Sequence, residues 1–205
     1  AGIPMAFLNG TGAIVGKVKG DGTFKIGNQI TYSSMVSING NNHAGLLCNI
    51  LDSGSVQITN DYEFPTEGYT ISATAGNAGG LIGQMNEGTQ LIVDKAGINL
   101  TALSVNATAG NAGGLIGQMD AGAQMDAGAQ IVVNQAIVLD KPSVTASVNA
   151  GGFIGQATNV LFAETNQKIT LTSPTVTATA GGTVGGIIGR YELSGKGNQT
   201  FPTCI

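Results

Sequence analysis

A single histidine narrows the chemistry this chain could perform. His43 stands beside Asn41, Asn42 and Gly45, and neither a Ser–His–acid nor a Cys–His arrangement assembles around it. Acyl transfer needs a nucleophile, a base and an orienting group within hydrogen-bond reach, and those parts are missing. His43 therefore reads as a corner residue. Paired carboxylates are the stronger enzymatic alternative, because two acids about 5–10 Å apart on one face can hydrolyse a glycosidic bond. Asp61 and Glu63 are the one closely alternating pair and would face the same way on a strand, with Tyr62 and Tyr69 as the aromatic platforms at hand. The remaining acids, such as Asp21, Asp52, Glu87, Asp120 and Asp126, fall in turns and read as solvated tips. Turn carboxylates also suit calcium, yet no Asp-rich loop repeats. The expectation is no catalytic residue, no metal and no cofactor.

Cys48 and Cys204 form no framework. They fall in distant parts of the chain, and an internal bridge needs Cα atoms within about 7 Å. Any disulfide is expected between chains.

The elements that would carry such groups are unusual in composition. Of 205 residues, 10% are charged and 33 are Gly, with no Trp and a net charge of −4; a typical chain has about 25% charged residues and ~7% Gly. Seven Lys and one Arg are scattered, which argues against nucleic acid, since phosphate binding draws on clustered cations. No apolar run approaches the length of a membrane-spanning helix. If the protein is exported, Ala1 is expected to be the mature end after cleavage. The composition suits a β-rich protein whose exposed faces are Thr, Ser, Asn and Gln.

Self-similarity organises the chain. Asn77-Ala78-Gly79-Gly80-Leu81-Ile82-Gly83-Gln84-Met85 recurs identically at 111–119, then as Asn149-Ala150-Gly151-Gly152-Phe153-Ile154-Gly155-Gln156 and Val184-Gly185-Gly186-Ile187-Ile188-Gly189-Arg190. Weaker copies begin at His43 and Gly12. Repeat cores lie near 12–18, 44–50, 77–85, 111–119, 149–157 and 184–191, at successive spacings of 32, 34, 34, 38 and 34 residues. The long interval contains a duplication, 119–124 (MDAGAQ) repeated as 125–130.

Each unit carries four extended segments. The Gly-rich core is followed by a turn at Gly22, Gly54, Gly88 or Gly128, where a tight hairpin is expected. A second strand (Phe24-Lys25-Ile26, Val56-Gln57-Ile58, Leu91-Ile92-Val93) opens six residues after the first in several copies. A third (Ile98-Asn99-Leu100, Ile137-Val138-Leu139, Ile169-Thr170-Leu171) should break at Pro142 and Pro174, because Pro cannot donate to a ladder. The fourth alternates most clearly, as in Ile71-Ser72-Ala73-Thr74 and Val105-Asn106-Ala107-Thr108. The expected fold is all-β, a single domain over 1–205, stacked as a β-solenoid of about six ~34-residue repeats. Interior rows should read Leu46, Leu81, Leu115, Phe153, Ile187 and Ile71, Val105, Val144, Val176, with Gly79, Gly80 and Gly83 at close passes and Cys48 in the place of Gly83.

The Ala-Gly-Gly-Leu-Ile-Gly-Gln core resembles the GLUG motif, a short Gly-rich repeat of large bacterial surface and secreted proteins, including adhesins. The resemblance covers four cores well and two loosely. It implies an extracellular or cell-surface β-solenoid segment and brings no catalytic residue.

One surface feature repeats, a ladder of Ser72, Thr74, Asn106, Thr108, Thr145, Ser147, Thr177 and Thr179. Regular Thr pairs would suit ice, but Ser and Asn interrupt them; a solubilising strand face is the plainer reading. Asn9, Asn99, Asn106 and Asn198 lie in N-glycosylation triplets. The expected function is a non-catalytic structural or adhesive module: a surface stalk, an adhesin segment or a filament subunit. Apolar termini around 2–8 and 201–205 would cap the stack or join it end to end to another copy. The alternative is a module that binds carbohydrate or a host protein through the ladder, and after it a polysaccharide-active enzyme or an ice-binding protein.

Overall fold

The computed structural model describes residues 5–6, 11–12, 14–27, 37–59, 68–94, 97–120, 129–159, 161–163 and 168–193. Asp61, Tyr62, Glu63, Asp126, Gly128, Asn9, Asn198, Cys204 and the C-terminal 201–205 lie outside them. Every regular element among the described residues is a strand, and no helix there is long and apolar enough to cross a membrane.

All strand pairing is parallel and joins each strand to its equivalent one repeat away. The first sheet, here the Thr sheet, stacks Met5–Ala6, Ser37–Gly40, Thr70–Ala73, Ser104–Ala107, Ser143–Ala146 and Thr175–Ala178. A second, the Ala-Gly sheet, stacks Thr11–Gly12, Ala44–Gly45, Ala78–Gly79, Ala112–Gly113, Asn149–Gly151 and Thr183–Gly185. The third, the Gln sheet, holds Val15–Val18, Cys48–Leu51, Ile82–Met85, Ile116–Met119, Ile154–Thr158 and Ile188–Glu192. A fourth runs from Thr23–Ile26 through Ser55–Ile58, Gln90–Val93 and Gln130–Val133 to Leu161–Ala163, and a fifth holds Ile98–Thr101, Ile137–Asp140 and Ile169–Thr172. The fold is therefore the expected all-β solenoid. It amounts to about four turns, fewer than the six repeat cores, because the outer coils lack sides among the described residues.

The expected hairpin is replaced by a corner. Val15–Val18 and Thr23–Ile26 belong to different sheets, and each pairs only with the coil above. A corner redirects the chain without reversing it, so consecutive strands never meet edge to edge. Gly54 (φ 76°) and Gly88 (φ 70°) supply the left-handed residue there, whereas in the first coil Gly20 (φ 128°) does so, not Gly22. Pro142 and Pro174 do separate strands as expected. The residue before each of them, Lys141 (φ 51°) and Ser173 (φ 45°), is left-handed, as is the equivalent Ala102 (φ 51°). The duplicated segment falls between Met119 and Gln130, and the ladders on either side keep register, Met85 with Met119 and Gln90 with Gln130.

Register corrects the second copy by one residue. Gly79 pairs with Gly45 and Ile82 with Cys48, so Leu47, not Leu46, joins the row of Leu81, Leu115 and Phe153. Leu46 replaces Gly80, Asn49 replaces Gly83, and Cys48 replaces Ile82. The first copy likewise starts at Thr11, which pairs with Ala44. The row of Ile71, Val105 and Val144 is buried as expected, with Val176 and Ile187 packed partly against the core in the outermost coil. Each such aliphatic side chain contributes about 1.5–3 kcal/mol on full burial.

Glycine marks the place where the Ala-Gly sheet turns back over the Gln sheet. A Cβ at Gly113 would fall inside the contact distance of Ile116 O and 2.6 Å from Gly155 N. At Gly186, in the outermost coil, a Cβ would meet nothing within 4 Å. Gly113→Ala should therefore destabilise the protein by about 2–4 kcal/mol, while Gly186→Ala should stay within ~0.5 kcal/mol. Urea unfolding of the two variants checks this, and equal losses would contradict the close pass.

Candidate functional site

Strand alternation sends Ile or Val and then Ala into the core of the Thr sheet and leaves the intervening positions outside. All eight predicted ladder residues stand on that outer face. Ser72, Asn106, Thr145 and Thr177 are cross-strand neighbours in one column. Thr74, Thr108, Ser147 and Thr179 form the next column, joined to the preceding coil through their backbone N–H groups. The structure adds a third column, Thr70, Ser104, Ser143 and Thr175, and extends the grid to the second coil with Ser37, Asn39 and Asn41. Every one of these fifteen outward positions is Ser, Thr or Asn, and none is buried. With strands about 4.8 Å apart and alternate residues about 6.7 Å apart, the grid measures roughly 19 by 13 Å.

Part of the grid is held rigidly. Thr108 Oγ1 donates to Thr74 O at 2.8 Å, Thr179 Oγ1 to Ala146 O at 3.2 Å, and Thr74 Oγ1 lies 3.0 Å from Asn41 Oδ1. These hydroxyls keep their acceptor lone pairs for solvent or a ligand.

Where the chain passes from the Thr sheet into the Ala-Gly sheet runs a polar spine, its asparagines buried, that the repeat pattern had not disclosed as a unit. Asn77, Asn111 and Asn149 are 6%, 5% and 2% exposed. Asn111 N–H and Nδ2 reach Asn77 Oδ1 at 2.9 and 3.2 Å, and Asn149 Nδ2 reaches Asn111 Oδ1 at 2.7 Å. Gln118 Oε1 accepts from Asn111 Nδ2 at 2.8 Å and from Asn77 Nδ2 at 3.0 Å; Asn149 Nδ2 donates to Gln156 Oε1 at 3.1 Å. Thr183 Oγ1 ends one side by donating to Asn149 Oδ1 at 2.6 Å. At the other side, Gln84 Nε2 donates to Asn86 Oδ1 (2.9 Å), Asn86 Nδ2 to Asp52 Oδ1 (2.7 Å), and Lys17 Nζ pairs with Asp52 Oδ2 (3.1 Å). Hydrogen bonding from Lys17 holds the Asp52 carboxyl below its ordinary range. The spine thus touches every coil. Its signal in the sequence is an Asn seven residues before a Gln in three successive copies (77/84, 111/118, 149/156).

The remaining candidates separate. Asp52 and Asp120 accept amide hydrogen bonds and are not bare solvated tips. Asp21 and Glu87 are exposed. Tyr69 is fully buried, so it offers no platform for a sugar. Cys48 is free and fully buried, and burial pushes its thiol up to about 12. Asn99 is exposed on the fifth sheet and Asn106 half-buried on the Thr sheet. No group of three His, Cys, Asp or Glu side chains stands together among the described residues. A cleft of about 320 Å³ opens at the first coil between Lys17, Val18 and Phe24.

Comparison of the chain with protein-family models, with curated proteins and with solved structures finds no match.

Amides and hydroxyls are neutral near pH 7, so the grid and the asparagine–glutamine part of the spine offer hydrogen bonding and shape. Asn111→Ala removes two donors and an acceptor from a buried chain and leaves Asn149 and Gln118 under-satisfied. The expected loss is about 2–4 kcal/mol. Asn106→Ala on the outer grid should cost no more than ~0.5 kcal/mol. Thermal unfolding of both variants tests the contrast.

Proposed function

We propose that the chain is a non-catalytic structural or adhesive module of the cell exterior, a rigid length of stalk, adhesin or filament whose working surface is the outer face of the Thr sheet. The observation that carries this reading is the charge-free Ser/Thr/Asn grid, unbroken over five coils and backed by a core that is fully buried in all but the outermost of them. Such a surface keeps a fixed spacing under load and offers many weak, similar hydrogen bonds. Adhesion by summed weak contacts requires both properties. The resemblance of the repeat core to the GLUG motif supports the same assignment and the extracellular setting.

A second reading uses the same grid to bind a neutral glycan or a host protein. The free lone pairs of Thr108 and Thr179 favour it, since their own hydrogens are already committed to backbone oxygens. The exposed Val184 and Leu193 in the outermost described coil, 54% and 64% exposed, favour contact with a further copy or coil instead.

Replacing Thr108 and Thr145 together by Lys places like charges on adjacent coils in the middle of the grid. Attachment to glycan- or matrix-coated surfaces, or self-association followed by light scattering, should weaken at least tenfold, while the fold survives with a melting temperature lowered by only a few degrees. A native protein that stays monomeric at all concentrations and binds no glycan or matrix surface would remove the proposal.

A further inference from the structure

The spine contains one rung that differs in kind. In the fourth coil, Asn111 N–H donates to Asn77 Oδ1 at 2.9 Å. One coil back, the acceptor is an imidazole: Asn77 N–H donates to His43 Nδ1 at 3.1 Å. His43 thus stands where asparagine stands in the next three coils, and its ring nitrogen substitutes for an amide oxygen. An amide oxygen accepts at any ordinary pH, but Nδ1 accepts only while it carries no proton.

We infer that the junction between the second and third coils is an acid-sensitive seam, opened when His43 gains a proton and its acceptor becomes a donor facing the Asn77 N–H. The ring has little freedom to escape that conflict. Its Nδ1 lies against the turn at Gly76, where even a Cβ would come within 2.9 Å. The packing turn, 74–77, carries no charge, and neither do the adjoining Asn41, Asn42 and Ala44. Asp120 is the charged group whose field reaches the ring and favours its protonation; burial opposes it and prevails, holding the pKa below its usual value.

The direction follows from linkage. The unfolded chain takes up this proton near the free-histidine value of about 6.5, and the folded chain only at lower pH. The contribution of the neutral ring is complete above about pH 6.5 and declines as pH falls toward the folded pKa. The asparagine rungs that follow carry no titratable group, and Asp52, which joins the same two coils through Asn86, is held below its ordinary range by Lys17 and so takes up its proton only at more acid pH. This inference is independent of what the outer grid binds.

Native-state hydrogen exchange, corrected for intrinsic rates, and ¹⁵N spectroscopy of the imidazole test it on the intact chain. The Asn77 amide should lose at least tenfold protection between pH 7.5 and 5, while the Asn111 amide keeps its protection. In His43→Asn, which restores the amide rung, the two should behave alike. Nitrogen shifts should show a neutral ring with the proton on Nε2 at pH 7.5. A proton on Nδ1 at that pH, constant Asn77 protection, or the same loss in His43→Asn would overturn the inference. Should His43→Asn fail to fold, the native tautomer and exchange readings decide alone.

Discussion

Parallel in-register pairing at about 4.8 Å places each side chain beside its own equivalent, and this self-stacking governs the molecule. An aliphatic row tolerates it, because neighbours of the same shape pack well. A primary amide also tolerates it, since each carries donors and an acceptor and so complements a copy of itself. A row of like charges does not, because repulsion would accumulate at every step. The column of Lys17, Ile50, Gln84, Gln118, Gln156 and Arg190 is charged only at its two ends. At the next corner, Asp52 and Asp120 are separated by Asn86. Low charge content is thus a consequence of the stacking and not an independent property of the surface.

The same rule explains how polar atoms can be buried along the axis. An unpartnered buried amide costs about 1–3 kcal/mol, so one asparagine in an apolar core would be a liability. Three in register satisfy one another, and the glutamines take the remaining hydrogens. The chain of amides must end somewhere. It does so at His43 and Thr183, residues able to make the one bond the last rung still requires.

The outer face inherits its order from the core. Because Ile71, Val105 and Val144 are aligned inside, the intervening Ser72, Asn106 and Thr145 are aligned outside. Regular spacing arises from packing, and any binding that exploits it needs no dedicated pocket. Glycine contributes at the neighbouring side, where the short Ala-Gly strands pass between the Thr sheet and the Gln sheet so closely that only a hydrogen fits at positions such as Gly113.

The sequence by itself determined the repeat, the strand type and the inward and outward rows, since period-2 alternation is readable within a unit and a period near 34 emerges on comparing one unit with the next. It also located the glycines of the close pass and the eight positions of the outer ladder. What it left open depends on which coil lies on which. The corner in place of a hairpin, the one-residue correction that sets Cys48 on Ile82, and the left-handed residues Ala102, Lys141 and Ser173 share no local signature. The hydrogen-bonded spine was equally hidden, although its residues recur, because its bonds join side chains a whole coil apart, as Asn77 to Asn111. Local pattern specifies each strand's two faces; only stacking specifies which groups of different coils come within hydrogen-bonding distance, and that is a tertiary choice.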